Sequence, residues 1–204
     1  MQIIPTQDEV LTVLQETGAL REGNFVYPNG LYSDQYLQIP LAFRYYQHAR
    51  TLSVALSRKV RANPELRAII PELSVVAPAT GGLPVAFGVC EALRAKQVYW
   101  AERMNDGEPL RLRQFLEIQP GEKVLLVDDI LRTGAKLTEL KAMVEAAGAE
   151  VVAIAVIVAQ MAPGCPDFAP LPVYWLAELD PLNLLDGSAG QLSYPDRPVE
   201  KIWI

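Results

Sequence analysis

The sequence predicts an α/β fold in which a parallel sheet is covered on both faces by helices, and three observations carry that prediction. Four runs, LSVVAPA, QVYWAE, KVLLVDD and EVVAIAVIVAQ, are apolar at nearly every position rather than at alternate ones; strands buried on both faces read this way. LPVAFGVCEALRA follows the first run and LTELKAMVEAAG the third, both long enough for helices that cross back over a sheet. The junctions hold small residues, Thr80-Gly81-Gly82 and Thr133-Gly134, as tight strand-to-helix turns require.

The remaining elements follow in order. Thr6-Gln-Asp-Glu9 has the form of a capping box, with Val10, Leu11, Val13 and Leu14 at helical spacing behind it and Gly18 as a stop, which predicts a short opening helix. Pro28-Asn29-Gly30 separates two β-prone runs within GNFVYPNGLYSDQYLQIP, a hairpin signal that places this part outside the main sheet. From about Phe43 to Val60 apolar residues recur at three and four until Asn63-Pro64 ends the pattern. PLRLRQF is expected as a short strand after an exposed loop. The Pro- and Gly-rich stretch from Met161, with PVYWLAEL and the final VEKIWI, is expected to wrap the sheet edge.

Composition narrows the function classes. With 204 residues, half of them hydrophobic, the chain can bury a core without disulfides or metals. A formal charge of -6 argues against a sequence-independent grip on nucleic acid, which needs a positive surface. Cys90 and Cys165 lie far apart with no third ligand to complete a metal cluster. No basic start with an apolar core opens the chain and no apolar run approaches the ~20 residues of a membrane span. A cytoplasmic protein is expected, with no membrane or nucleic-acid partner.

Ligands of open parallel sheets bind beyond the carboxyl ends of the strands. Here that places Pro78 to Gly82, Glu102 to Pro109, Asp128 to Lys136 and Gln160 to Cys165 around one region. VLLVDDILRTGAK combines a buried strand, two consecutive acids, a small-residue turn and an immediate helix. Backbone N–H groups and the helix dipole at such a turn suit a phosphate. Thr133 adds a hydroxyl, Gly134 lets the backbone approach, and Arg132 and Lys136 add charge. Asp128 and Asp129 suit vicinal hydroxyls or a hydrated Mg²⁺. His48, the single histidine, lies mid-helix and reads as a surface or structural residue rather than an acid-base catalyst.

The segment Val124 to Lys136 resembles the phosphoribosyl pyrophosphate-binding signature of type I phosphoribosyltransferases. The similarity extends to GALREGNFVYPNGLYSDQYLQIPLA, APATGGLPVAFGV and AERMNDGEPLRLRQFLEIQPGEKV; in order and spacing these are most similar to orotate phosphoribosyltransferases. The resemblance implies a type I phosphoribosyltransferase fold over residues 1–204: a core of approximately 42–160, a small N-terminal hood of approximately 1–41, and a C-terminal tail. It implies transfer of ribose 5-phosphate from phosphoribosyl pyrophosphate to a base such as orotate, in pyrimidine synthesis, by a homodimer. Mg²⁺ would be held mainly through the pyrophosphate, with Asp128 and Asp129 meeting it through water and no direct protein ligand.

The resemblance gives catalytic roles to Asp128, Asp129 and Arg103. It gives substrate binding to Thr80, Gly81 and Gly82 at the pyrophosphate turn, and to Glu102 at the start of a closing loop. Ile130, Leu131, Arg132, Thr133, Gly134, Ala135 and Lys136 follow in the signature, and Ser33 and Tyr36 in the hood. Several basic residues of the orotate enzymes are substituted. The hood has Pro28, Asn29, Leu31 and Tyr32, Thr80 stands where many members have lysine, and Gln160-Met161 replaces an arginine expected to grip the orotate carboxylate. No Lys or His occurs between Gln97 and Glu122. A second reading therefore stands beside the enzyme: a catalytically weak or inactive nucleotide-binding regulator of the same fold.

Overall fold

A computed structural model of the chain describes residues 4–105, 107–182, 184–186 and 193–202. The chain opens with helix α1 (Gln7–Glu16). Both halves of the capping box form: Glu9 N donates to Thr6 Oγ1 at 3.2 Å, and Thr6 N donates to Glu9 Oε2 at 2.7 Å. Strands β1 (Leu20–Val26) and β2 (Leu31–Leu37) pair antiparallel. Gly30, at φ +82°, closes the hairpin by donating to Tyr27 O at 2.8 Å. A side chain would be strained at that φ.

The helical stretch predicted from about Phe43 is several pieces: a turn of helix, α2 (Pro40–Phe43), then α3 (Tyr46–Arg61), then α4 (Pro64–Ile69) and a 3-10 turn, Ile70–Glu72. Asn63-Pro64 ends α3 and also starts α4. The Asn63 side chain accepts from Glu65 N at 2.9 Å and Leu66 N at 3.3 Å, with Pro64 in the first turn, where its missing N–H costs nothing. Two basic side chains of α3 reach backbone carbonyls of neighbouring elements. Lys59 Nζ donates to Trp175 O at 2.6 Å, and Arg61 donates to Leu93 O.

The main sheet then forms from β3 (Ser74–Pro78), α5 (Gly82–Leu93), β4 (Gln97–Glu102), β5 (Arg111–Leu112), β6 (Lys123–Leu131), α6 (Ala135–Ala146), β7 (Glu150–Ala159) and β8 (Val173–Glu178). The strand order is β5-β4-β3-β6-β7-β8, with every pair parallel except β4 with β5. The expected parallel sheet is therefore present, and PVYWLAEL adds a fifth parallel strand at its edge.

Successive strand residues face opposite layers. Val75, Ala77, Leu125 and Val127 pack with Leu14 of α1, Leu52 and Leu56 of α3, and Val85 and Val89 of α5. Val76, Val124 and Leu126 pack with Leu137, Leu140 and Val144 of α6. Two layers of helix thus sandwich the sheet. Among the described residues, no helix is long and apolar enough to cross a membrane.

The end of the chain departs from expectation. Instead of wrapping the main sheet, β9 (Leu185–Asp186) and β10 (Val199–Lys201) join the hairpin in a second sheet ordered β10-β1-β2-β9. The hairpin had two unpaired edges, and the returning chain satisfies both. Residues 187–192, 203 and 204 of the tail lie outside the described residues. Asn24, 2% exposed, fastens this closure: Nδ2 donates to Tyr194 O at 2.6 Å and Arg197 O at 2.9 Å, and Oδ1 accepts from Tyr194 N at 3.3 Å. Replacing Asn24 with Ala leaves those groups unpaired, at a cost of about 1–3 kcal/mol. The expected outcome is faster amide exchange and proteolysis at residues 193–202, read by mass spectrometry, with the main sheet still protected.

Candidate active site

The site follows from the strand order. β3 runs through α5 to β4 on one side of it, while its other neighbour, β6, runs through α6 to β7 in the opposite direction. The connections diverge, and a crevice opens beyond the ends of β3 and β6. On the β3 side the chain turns through Ala79, Thr80 and Gly81 into α5; the Ala79–Thr80 peptide is cis, and Ala79 N donates to Ala101 O at 2.7 Å. Thr80 is exposed and Gly81 half-buried.

Opposite this turn stand the two acids. A Cβ at Gly81 would lie 2.5 Å from Asp129 Oδ2, and one at Gly82 would lie 3.0 Å from Asp128 Oδ1 and 2.9 Å from Pro78 Cδ. Only glycine allows the carboxylates to sit this close to the backbone of the turn. Asp128 is 3% exposed, and its Oδ1 accepts from Asp129 N at 2.9 Å, while Asp129 Oδ1 accepts from Ile130 N at 3.0 Å. Burial pushes the Asp128 carboxyl well above its usual range, the neighbouring Asp129 raises it further, and the Lys136 ammonium pulls it back. The pair therefore favours a proton, a hydroxyl donor or a cation. Ile130 and Leu131 complete β6 with side chains packed on the two core layers, Leu131 buried and Ile130 partly so.

Beyond β6 the chain reaches α6 through Arg132, Thr133 and Gly134. Gly134 is at φ +71° and is buried; a Cβ there would come within 2.7 Å of Pro166 Cδ. No side chain caps the helix, and Ala135 N has only a 3.4 Å contact to Thr133 Oγ1. The first-turn amides, with exposed Thr133, Ala135 and Lys136 beside them, can therefore receive an anion. Arg132 lies elsewhere. Its Nη2 donates to Gln160 Oε1 at 2.9 Å, at the end of β7, and its charge acts on Tyr36 in β2. Burial raises the Tyr36 phenol, Tyr27 adds to the rise, and Arg21 and Arg132 oppose it. The hood and the signature turn thus lie within electrostatic range of each other at Tyr36 and Arg132.

The other expected residues stand apart in this conformation. The Ser33 hydroxyl is buried in β2, donating to Gln35 O at 2.9 Å and accepting from Gln35 N at 3.1 Å. Glu102 is paired with Arg113. Arg103 makes a two-pronged contact with Glu139 of α6, Nη2 to Oε2 at 2.7 Å and Nη1 to Oε1 at 3.3 Å, and donates to Glu108 O at 2.8 Å. Leu110 N also donates to Glu139 Oε1. One carboxylate thus holds both ends of the loop 103–110. Helical spacing alone makes Glu139 a surface residue, and nothing in the sequence singles it out.

Comparison with known proteins accords with this architecture. Residues 44–169 match the phosphoribosyl transferase domain. The chain belongs to that family. The matched span runs from the start of α3 past β7 and includes both walls of the crevice. Curated relatives named orotate phosphoribosyltransferase include one from Acidithiobacillus ferrooxidans, 36% identical over 178 residues, 87% of each chain. Another, from Caulobacter vibrioides, is 35% identical over 154 residues, 75% of each chain. The crystal structure of orotate phosphoribosyltransferase from Aeropyrum pernix shares the fold, with a TM-score of 0.65 at 21% identity, covering 83% of this chain and 93% of that one.

Two measurements probe the geometry. Because the Asp128 pKa is raised on folding, its ionisation opposes folding; the penalty is full above the raised value and vanishes below the ordinary 3.8. Asp128→Asn should therefore stabilise the ligand-free protein by about 1–3 kcal/mol at pH 8, seen as a higher melting temperature, with the gain shrinking toward pH 4. A gain independent of pH would place its origin in packing instead. Glu139→Gln should speed amide exchange across residues 103–110 while the melting temperature barely moves, since exposed ion pairs contribute roughly 0–1 kcal/mol.

Proposed function

We propose that the protein is an orotate-type phosphoribosyltransferase: it transfers ribose 5-phosphate from phosphoribosyl pyrophosphate to a nucleobase, orotate, and releases pyrophosphate, in the cytoplasm. The observation that carries the reading is the approach of Asp128 and Asp129 to the glycine turn Gly81-Gly82 across the crevice. A ligand with a phosphate at one end, vicinal hydroxyls in the middle and a pyrophosphate at the other matches the donors and acceptors in that order.

The first turn of α6, Thr133 to Lys136, receives the 5-phosphate, where the helix dipole and backbone N–H groups meet negative charge. The carboxylates accept hydrogen bonds from the ribose hydroxyls, which orients the sugar and relieves their mutual repulsion. Backbone groups from Thr80 to Gly82 meet the pyrophosphate. Among the described residues no three His, Cys, Asp or Glu converge on a metal. The two acids present suit a Mg²⁺ bound chiefly by pyrophosphate and met by the protein through water. When bound, that ion supplies positive charge to the leaving group. Arg103, released from Glu139, is the cation nearest to the loop's start that can add to it as the loop closes and excludes water.

The reading includes a homodimer, in which half-exposed Phe87 of α5 and Tyr46, 75% exposed at the start of α3, are covered. Sedimentation at micromolar concentration tests it: a purely monomeric protein removes that part.

A second reading, binding without turnover, draws support from Arg103 and Arg113, both of which are held in ion pairs. The deciding experiment incubates the purified protein with Mg²⁺, phosphoribosyl pyrophosphate and a panel of bases, and follows pyrophosphate release beside calorimetric binding. Release with orotate above the other bases is expected. Tight binding with no release for any base removes the enzyme and leaves the regulator.

A further inference from the structure

Glu139 of α6 gathers more donors than a surface carboxylate ordinarily does. It accepts from Arg103 Nη2 at 2.7 Å, from Arg103 Nη1 at 3.3 Å and from Leu110 N, so both ends of one loop converge on its two oxygens. Arg103 Nη1 also donates to Glu108 O at 2.8 Å, and Asn105 Nδ2 donates to Glu108 Oε1 at 2.9 Å. Core packing does not account for this arrangement. Arg103, Met104 and Asn105 are exposed, and the loop is buried only at its far end, at Leu110. Polar contacts to Glu139 are what fasten its first half.

The place of the contact gives it a bearing on the crevice. Glu139 lies four residues after Ala135, and residues four apart share a helix face. Helical side chains lean toward the N-terminus, which in α6 is the uncapped first turn that can receive an anion. Arg103 directly follows β4, the neighbour of β3 in the sheet, and spans from there to α6. The guanidinium is thus held beside the crevice with both of its prongs occupied. The hydrogen bond from Arg103 keeps the Glu139 carboxyl below its ordinary range, although burial acts the other way, so the group that occupies Arg103 is an ionised carboxylate.

We propose that Glu139 is a positioning residue that acts as a latch: it occupies Arg103 until the pyrophosphate group of the substrate takes its place on the guanidinium. This rests on the transferase reading of the crevice and deepens it by naming what releases the loop. A guanidinium presents the same planar fork to a carboxylate and to a phosphate, so the exchange replaces one two-pronged anion with another. The released carboxylate is not stranded. The Glu139 side chain keeps 29% of its surface exposed and can be hydrated, whereas a fully buried carboxylate would resist losing its partner. The latch lowers the apparent affinity for pyrophosphate by the fraction of molecules in which Arg103 is free. A ligand without that group makes no differential contact with the open loop and leaves it latched.

The test is calorimetric titration with Mg²⁺ and pyrophosphate, so that no turnover is needed, on the wild-type protein, Glu139→Gln, Arg103→Ala and the double variant. Glu139→Gln should bind pyrophosphate roughly three- to fivefold more tightly than wild type, the upper range of one exposed ion pair. Glu139→Ala should show the same gain, which guards against a peculiarity of the glutamine. In the Arg103→Ala background, Glu139→Gln should change the affinity by less than about 1.5-fold, since the benefit passes through the guanidinium. Uridine 5′-monophosphate offers a phosphate to α6 and none to Arg103, and should bind wild type and Glu139→Gln within about twofold of each other. A merely structural Glu139 predicts unchanged or weaker pyrophosphate binding in both Glu139 variants, and that result would overturn the latch. A gain of the same size without Arg103, or with uridine 5′-monophosphate, would trace it to the loss of a negative charge near the phosphate turn and overturn the latch as well. Either outcome leaves the transferase reading intact. Failure of the wild-type protein to bind pyrophosphate would remove the pyrophosphate site and the latch together.

Discussion

Two carboxylates held against a backbone that carries no side chain are the constraint around which this molecule is organised. Asp128 and Asp129 end the central strand of a doubly covered sheet, and Gly81 and Gly82 are the residues that let the opposite turn come up to them. A folded protein gains nothing in stability from a buried acid beside another acid; burial and repulsion both act against the charge on Asp128. Unfavourable electrostatics concentrated at a strand end, in a crevice, mark a place shaped for a ligand.

The rest of the fold supplies what the pair needs. The parallel core, with Leu125, Val127, Leu126 and Val124 fully buried, fixes the strand ends to which the acids belong. The divergence of β3 and β6 makes the crevice. The uncapped start of α6 supplies the complementary end, since the amides that a capping side chain would satisfy remain free. The small second sheet closes over the hood side, and its two halves come from opposite ends of the chain. A contact of such long sequence separation carries a loop-closure cost in chain entropy, and the three hydrogen bonds of Asn24 to Tyr194 and Arg197 help to offset it.

Much of this was legible in the residues. Near-continuous apolar runs predicted the parallel strands, Thr6 and Glu9 predicted the first helix and its cap, and Pro28-Asn29-Gly30 predicted the hairpin. Each rests on local backbone chemistry or on periodicity, which sequence displays directly. The acid pair and glycine turns were equally visible, because a ligand-binding strand end uses a compact set of residue types in fixed order. The helix α4 is less legible, because Asn63-Pro64 signals both the end of α3 and the start of another helix.

What sequence alone determined is therefore the fold class, the order of elements and the segment that holds the ligand, all of which depend on neighbours in the chain. Tertiary structure decided which distant groups meet. It sent the final strand to the hairpin instead of the main sheet, because an open hydrogen-bonding edge attracts whichever segment can reach it. It tied Arg103 to Glu139, 36 residues on, and it directed Arg132 to Gln160 and the hood rather than to the phosphate turn. A long, charged side chain has several partners within reach of its backbone position, and only the packed molecule selects one.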